Sequence, residues 1–277
     1  MSTLIRRRDF ARLAVGGLAA APAALQLTAR KRIPIGLQLY SIRKDCAADL
    51  AGSLAQVAKM GYEGVEFAGY YGHGAQEIRK MLDANGLKCC GIHTRITTLE
   101  GDELKRTIEF NQTIGNTRLN VAGIRPGDTA KAWYEAARRF SEIAAKLAPH
   151  GMRTGYHCHA RDFQPVEGKI PWEIIFDNTP KEVNMQLDVG HCVQAGSDPL
   201  HYLKKYPGRA RTIHVTDYSP TNNQALLGEG MVPLKQVFEL CETVAGTEWY
   251  IIEQERYPFP PMECARRCLA NMKKLLA

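Results

Sequence analysis

The sequence predicts a single α/β domain folded as a (β/α)8 TIM barrel, and three observations predict it. Short apolar, β-prone runs alternate with stretches of helical period eight times along the chain, without a low-complexity tract or long linker. The length of 277 residues suits one such barrel, which takes about 250. Apolar residues at 45% and charged residues at 23% describe an ordinary globular domain with a sizeable core. Strict alternation implies parallel strands joined by right-handed crossovers, and a count of eight favours a closed barrel over an open sheet. No Gly-x-Gly-x-x-Gly follows the first apolar run, which weighs against a dinucleotide-binding sheet.

The first strand spans residues 33–39, and residues 50–60 carry the helical period up to Gly61, a C-cap. Strand two is 62–67, followed by a helix at 75–84 that closes on Asn85-Gly86; strand three is 87–93. A third helix at 103–114 ends at Gly115, strand four is 118–122, and a long amphipathic helix at 130–147 is stopped by Pro149 and Gly151. In the second half the strands fall at 152–158, 183–187, 210–215 and 249–252. Their helices fall at 172–177, with Pro171 at its start, then at 200–205, 234–244 and 262–276.

The formal net charge is +7, of which Arg6, Arg7, Arg8 and Arg12 less Asp9 supply +3 and leave +4 for the rest. No other basic run tracks a phosphate backbone, so nucleic acid is not an expected partner. Arg7-Arg8-Asp9-Phe10, the uncharged stretch from Leu13 to Leu27 and Leu27-Thr28-Ala29 together resemble a twin-arginine signal peptide. The apolar stretch falls short of the roughly 20 residues that span a bilayer, so stable membrane insertion is not expected. The domain reading is therefore a signal at 1–30 and a barrel at 31–277, exported to the periplasm, where homo-oligomers are open to it. The eight cysteines lack the density and spacing of a disulfide scaffold or zinc knot and read mostly as small buried apolar residues.

Four runs in the second half end in histidine or carboxylate: Tyr156-His157-Cys158-His159, Leu187-Asp188-Val189-Gly190-His191, Ile213-His214-Val215-Thr216-Asp217 and Ile251-Ile252-Glu253-Gln254-Glu255. Barrel active sites sit at the carboxyl ends of the strands, so closure brings these ends together. Alternation puts His157 and His159 on one face, and Glu253 and Glu255 on one face. Polar groups facing into a barrel are costly unless paired or metal-bound. Strands five to eight would then supply His157, Asp188, His214 and Glu253 to a divalent ion. Two imidazoles and two carboxylates suit Mn, Zn, Co or Fe and not a soft thiolate metal.

With Gly228-Glu229-Gly230 added, these motifs resemble the xylose-isomerase-like barrel superfamily, in its sugar phosphate isomerase/epimerase branch. The likeness covers nearly all of the chain after the signal. It implies ligands from the ends of strands five to eight: a Glu, the Asp of Asp-x-x-His, a His and a second Glu. Asp188, His214 and Glu253 match the last three, and His191 is similar to the histidine that holds substrate hydroxyls. At the first ligand the chain departs: His157 lies in Tyr-His-Cys-His, which resembles a Tyr-His-Asn-His subgroup. Epimerases of the family use two glutamates on opposite faces of the sugar, and here only Glu253 matches that pair.

The expected activity is that of a divalent-metal-dependent enzyme acting on a sugar or keto-sugar through an enediolate, an isomerase or epimerase. Glu253, His157 and His159 are the candidate bases. One alternative is a lyase cleaving an oxidised (3-keto) glycoside by β-elimination. Another is a non-catalytic periplasmic sugar-binding barrel. The related abasic-DNA endonucleases would need more ligands and a basic groove. Glu66 and His93, ending strands two and three, are candidates to line the sugar pocket, and Asp217 and Glu255 to orient His214 and a loop. Arg256 and Trp172 are further substrate-contact candidates, and Glu229 a loop candidate. His73, His150 and His201 read as surface or loop. Phosphorylated sugars are the less expected substrates, because export argues for substrates outside the cytoplasm and no phosphate-cradling glycine loop or lysine is evident.

Overall fold

The computed structural model describes residues 32–277; the signal-like segment at 1–30 lies outside them. Eight strands form one parallel sheet: β1 (Ile35–Gln38), β2 (Gly64–Phe67), β3 (Lys88–Thr94), β4 (Arg118–Val121), β5 (Arg153–His157), β6 (Asn184–Gln186), β7 (Thr212–Val215) and β8 (Trp249–Ile252). Their order is β6-β5-β4-β3-β2-β1-β8-β7, so each strand lies beside its sequence neighbour and β1 pairs with β8. The seam between β6 and β7 is closed by a parallel bridge from Asp188 to His214, with the His214 amide donating to the Leu187 carbonyl at 3.0 Å. The barrel expected from the sequence is the fold observed.

Ten α-helices are found among the described residues: α1 (Arg43–Ala48), α2 (Leu50–Met60), α3 (Ala75–Ala84), α4 (Glu103–Thr113), α5 (Ala130–Leu147), α6 (Pro171–Asp177), α7 (Val189–Gln194), α8 (Pro199–Lys205), α9 (Leu234–Thr243) and α10 (Pro261–Leu276). Eight are the predicted crossovers. Helix α2 starts on an Asp49 cap that accepts the Gly52 amide and ends at Gly61, whose φ of 97° suits glycine. Helix α5 buries Trp133, Ala136, Ala137, Phe140, Ile143, Ala144 and Leu147 along one stripe, as its period predicts. The two unpredicted helices, α1 and α7, are each six residues long, too short to show a period. None of the helices among the described residues is long and apolar enough to cross a membrane.

Side chains alternate between two environments. Leu37, Val65, Phe67, Leu119, Val121, Tyr156, Met185, Ile213, Val215 and Ile252 belong to the main core cluster, to which the helices also contribute. Trp172 lies in that core with no exposed surface. A separate small cluster of Cys90, Trp249 and Ile251 fills the amino-terminal end of the barrel's inside. Gly36 and Gly64 make room for it, since a Cβ would come within 2.8 Å of the Cys90 sulfur and of the Trp249 ring respectively. Toward the carboxyl ends the interior turns polar, with Gln38, Glu66, Asn120, Gln186, Thr212 and His214 fully buried and mutually bonded. Burying that many polar groups is tolerable only because they satisfy one another, and it departs from the branched aliphatic filling usual in such barrels. All eight cysteines are free and buried.

Candidate metal centre

Each of four successive strands delivers one ligand candidate. His157 is the last residue of β5, Asp188 follows β6 by two positions, His214 lies within β7 and Glu253 follows β8 directly. One ligand atom from each lies within 4.8 Å of the others, and all four residues are buried, Glu253 most exposed at 5%.

Backbone and side-chain contacts aim these groups. Asp188 Oδ1 accepts the Thr216 hydroxyl at 2.5 Å and the His191 amide at 2.8 Å, so the carboxylate also caps α7. The Asp188 amide is fixed by the Cys158 sulfur at 3.1 Å. Its other oxygen, Oδ2, has no hydrogen-bond partner, and neither has Nδ1 of His157. A buried polar atom left unpaired is costly, and a cation that takes it as a ligand removes that cost. His214 Nε2 meets Glu66 Oε2 at 2.6 Å, and its Nδ1 meets Glu253 Oε2 at 2.8 Å and lies 4.0 Å from Asp188 Oδ2. The Glu66 contact fixes the proton on Nε2 and leaves Nδ1 as the ligand atom.

The electrostatics agree with that division. Burial by itself would depress His214, but the carboxylates of Glu66 and Glu253 on its two nitrogens raise it to about 10. The ring proton on Nδ1 therefore stands where a metal cation would. Burial, reinforced by the neighbouring imidazoles His214, His93, His159 and His191, holds His157 well below the usual histidine range, so it is neutral and available as a donor. Burial raises the thiols of Cys158 and Cys192, which keeps them protonated. The residues thus fit a divalent ion of the hard-to-borderline class. Because His214 loses its Nδ1 proton to bind metal, uptake is expected to release about one proton per ion near neutral pH. Apparent affinity should rise about tenfold per pH unit up to roughly pH 10. Calorimetric titration in buffers of different protonation enthalpy measures that proton directly.

Below the ligands, Glu66 plays a different part from the one expected. Its carboxylate accepts Gln38 Nε2 and His214 Nε2 on one oxygen, at 2.8 and 2.6 Å, and Gln186 Nε2 and Asn120 Nδ2 on the other, at 2.8 and 3.1 Å. It is fully buried, and both oxygens are filled by these four donors, which is a structural role inside the barrel. Burial would raise its pKa, yet the His93 and His214 charges and bonds hold it well below the carboxylate range. His93 does line a cavity of about 910 Å3 on this face; it stacks on His214 with ring centroids 5.0 Å apart and meets Gln186 Oε1 at 2.8 Å.

At the mouth, His159 and His191 approach each other with ring centroids 5.1 Å apart, and His159 Nδ1 is buried without a partner. Burial and the His191 charge lower His159 to about 4. His191 moves the other way: burial opposes it, but Asp188 and Glu255 raise it. Glu255 lies 3.9 Å from His191 Nε2, and its own carboxyl is raised by burial and by the Glu253 charge. Glu253, Glu255 and Arg256 line a small cavity with His191 and Asp217. Asp217 does not touch His214; its oxygens accept the amides of Tyr218, Gly228, Gly230 and Val232 and so pin the loop that passes beside the site. Glu229 likewise turns inward to its own loop, accepting the Leu226 amide.

Several contributors escape a reading of motifs. Thr216 holds Asp188, and Gln38, Asn120 and Gln186 hold Glu66. The signal for the last three was present as polar residues at inward positions of otherwise apolar strands. Arg125 and Arg161, which join Arg256 around a further cavity, lie on loops and carry no such signal.

Comparison with known proteins agrees with the fold. Residues 54–275 match a protein family described as the xylose isomerase-like TIM barrel. The inosose dehydratase of Geobacillus thermodenitrificans (strain NG80-2) is 22% identical over 275 residues, covering 82% of this chain and 91% of that one. The inosose dehydratase of Lacticaseibacillus casei is 21% identical over 245 residues, covering 74% and 82%. Among solved structures, a sugar phosphate isomerase/epimerase from Parabacteroides distasonis ATCC 8503 superposes with a TM-score of 0.78 at 20% identity, over 89% of this chain and 97% of that one. At that identity the superposition shows a shared fold.

Proposed function

The chain belongs to the xylose isomerase-like TIM barrel family, and we propose that it is a divalent-metal-dependent enzyme that removes a proton next to the ketone of a sugar or other polyhydroxy ketone. The observation that carries this reading is the buried set His157, Asp188, His214 and Glu253, with His157 Nδ1 and Asp188 Oδ2 unpartnered. When bound there, a divalent ion supplies Lewis-acid polarisation of a ketone oxygen. The chain's own residues do the rest. Thr216 and Glu66 keep Asp188 and His214 aimed, and burial of all four ligand residues limits water around them.

His159 presents an unpartnered nitrogen beside the cluster and is the group placed to take the proton alpha to the ketone. His191, with Glu255 behind it, is placed to return a proton. Returned to a β-leaving hydroxyl or alkoxide, that proton completes an elimination: the Cα–H and Cβ–O bonds break, a C=C bond forms, and water or an alcohol leaves. Returned to the neighbouring carbon, it completes an isomerisation. Elimination is the favoured outcome, because His157 stands where a second glutamate would serve two-face epimerisation, and because the curated relatives are dehydratases. The twin-arginine-like segment supports placing this chemistry in the periplasm.

Incubation of metal-loaded protein with an inosose and with a 3-keto-glycoside in D2O, followed by NMR, tests the proposal. Loss of the β-substituent is expected. Exchange without loss would redirect the reading to isomerisation, and neither exchange nor cleavage would oppose it altogether.

A further inference from the structure

Beside the metal cluster opens a cavity of about 510 Å3 whose lining includes Arg125, Arg161, Arg256, His159 and His191. The guanidiniums come from three separate places in the chain: the loop after β4, the turn after β5 and the loop after β8. No carboxylate is among the described residues that line it. Glu255 borders the same edge, near His191 and Arg256. Arg125 and Arg256 form no side-chain ion pair or hydrogen bond among the described residues, so their donors are free.

Arg161 is held in place. Its Nη2 donates to the Ile124 carbonyl at 3.3 Å, and its Nε lies 3.6 Å from Oδ1 of the buried Asp162. Asp162 in turn accepts the His159 amide at 2.8 Å, so the arginine and the proposed base are positioned by one carboxylate. Gly123 lets the β4 loop pass: its φ is +143°, and a Cβ there would come 3.2 Å from Arg161 Nη2. Asp162 partly balances Arg161 and Glu255 lies near Arg256, and an anion in the cavity would complete the pairing of all three guanidiniums. Guanidinium forks match carboxylates and acid esters in geometry as well as charge. The volume is that of a small-molecule site.

We propose that this cavity is an anion subsite, and that the substrate carries a carboxylate or an acid ester gripped by Arg125, Arg161 and Arg256 while its ketone lies at the neighbouring metal cluster. The substrate class rests on the function proposed above. It also bears on the expectation against phosphorylated sugars, which rested in part on the lack of a glycine loop or lysine: arginines from three separate segments can do the same work.

The test uses three ketoses on the metal-loaded full chain at fixed ionic strength: D-fructose, 5-keto-D-gluconate and D-fructose 6-phosphate. Calorimetry is expected to show at least one anionic ketose binding about tenfold or more tighter than D-fructose, the equivalent of one charge-assisted pair. The carboxylate and phosphate arms identify which anion is preferred. The double substitution Arg125→Ala and Arg256→Ala should weaken the preferred anion about tenfold more than D-fructose, whereas Arg138→Ala on the outer helix α5 should not. Equal affinity or no binding for all three ketoses, or a preference that survives the double substitution, overturns the subsite. Metal content measured on the same samples separates the two readings. A retained ion without anion preference overturns the subsite alone, and anion preference without a retained ion overturns the metal-dependent function alone.

Discussion

Asp188→Ala is expected to strip the protein of its tightly held divalent ion and to lower turnover of a keto-sugar substrate by about a thousandfold or more, the scale on which Lewis-acid stabilisation acts. Asp188 contributes more than one oxygen. Its Oδ1 is bonded to Thr216 and to the first turn of α7, while Oδ2 stands free among the other ligand atoms. The alanine variant removes both the ligand and the cap that places His191. Asp188→Asn separates these effects, because its carbonyl oxygen can still accept from Thr216 and the α7 amide, so the helix should persist while metal affinity falls. Elemental analysis after dialysis, together with NMR turnover, measures both. A variant that keeps stoichiometric metal and full turnover would remove Asp188 from the site.

Glu66→Ala is expected to cost about 3–5 kcal/mol of stability, the usual penalty for removing one partner of a buried charged pair. The His214 imidazole and the amides of Gln38, Asn120 and Gln186 would all lose their acceptor in a place water does not reach. A loss of that size lowers Tm by about 10 °C for a domain of this length. Metal affinity should fall with it, by about ten- to a hundredfold, since nothing then fixes the His214 tautomer. Thermal unfolding by circular dichroism on dialysed and metal-loaded samples measures both effects. A Glu66→Ala protein as stable as the wild type would mean that the polar interior is not held together through this carboxylate.

The fold was legible because each strand-and-helix unit carries its own period, and closure follows from the count. The four ligand candidates were legible for a related reason: strand alternation and the carboxyl-end rule place His157, Asp188, His214 and Glu253 at one end of one barrel. Glu66 was misread. A carboxylate near a strand end looks the same in sequence whether it meets a ligand or four donors from other strands. Asp217 shows the same limit, since the loop amides that occupy it come from residues up to 15 positions away. Helix α7 was hidden because six residues cannot display a helical period and its cap is itself a site residue. The arginine cavity was out of reach entirely, as it exists only where three loops distant in sequence converge.

One divalent ion held by these four side chains is what the proposed chemistry requires. An anomalous difference map from crystals of the purified protein, collected at the absorption edge of the metal it retains, tests it most directly. One peak is expected among His157, Asp188, His214 and Glu253, at about 2.0–2.2 Å from the ligand atoms. No peak there, or a retained ion bound elsewhere in the molecule, would contradict it.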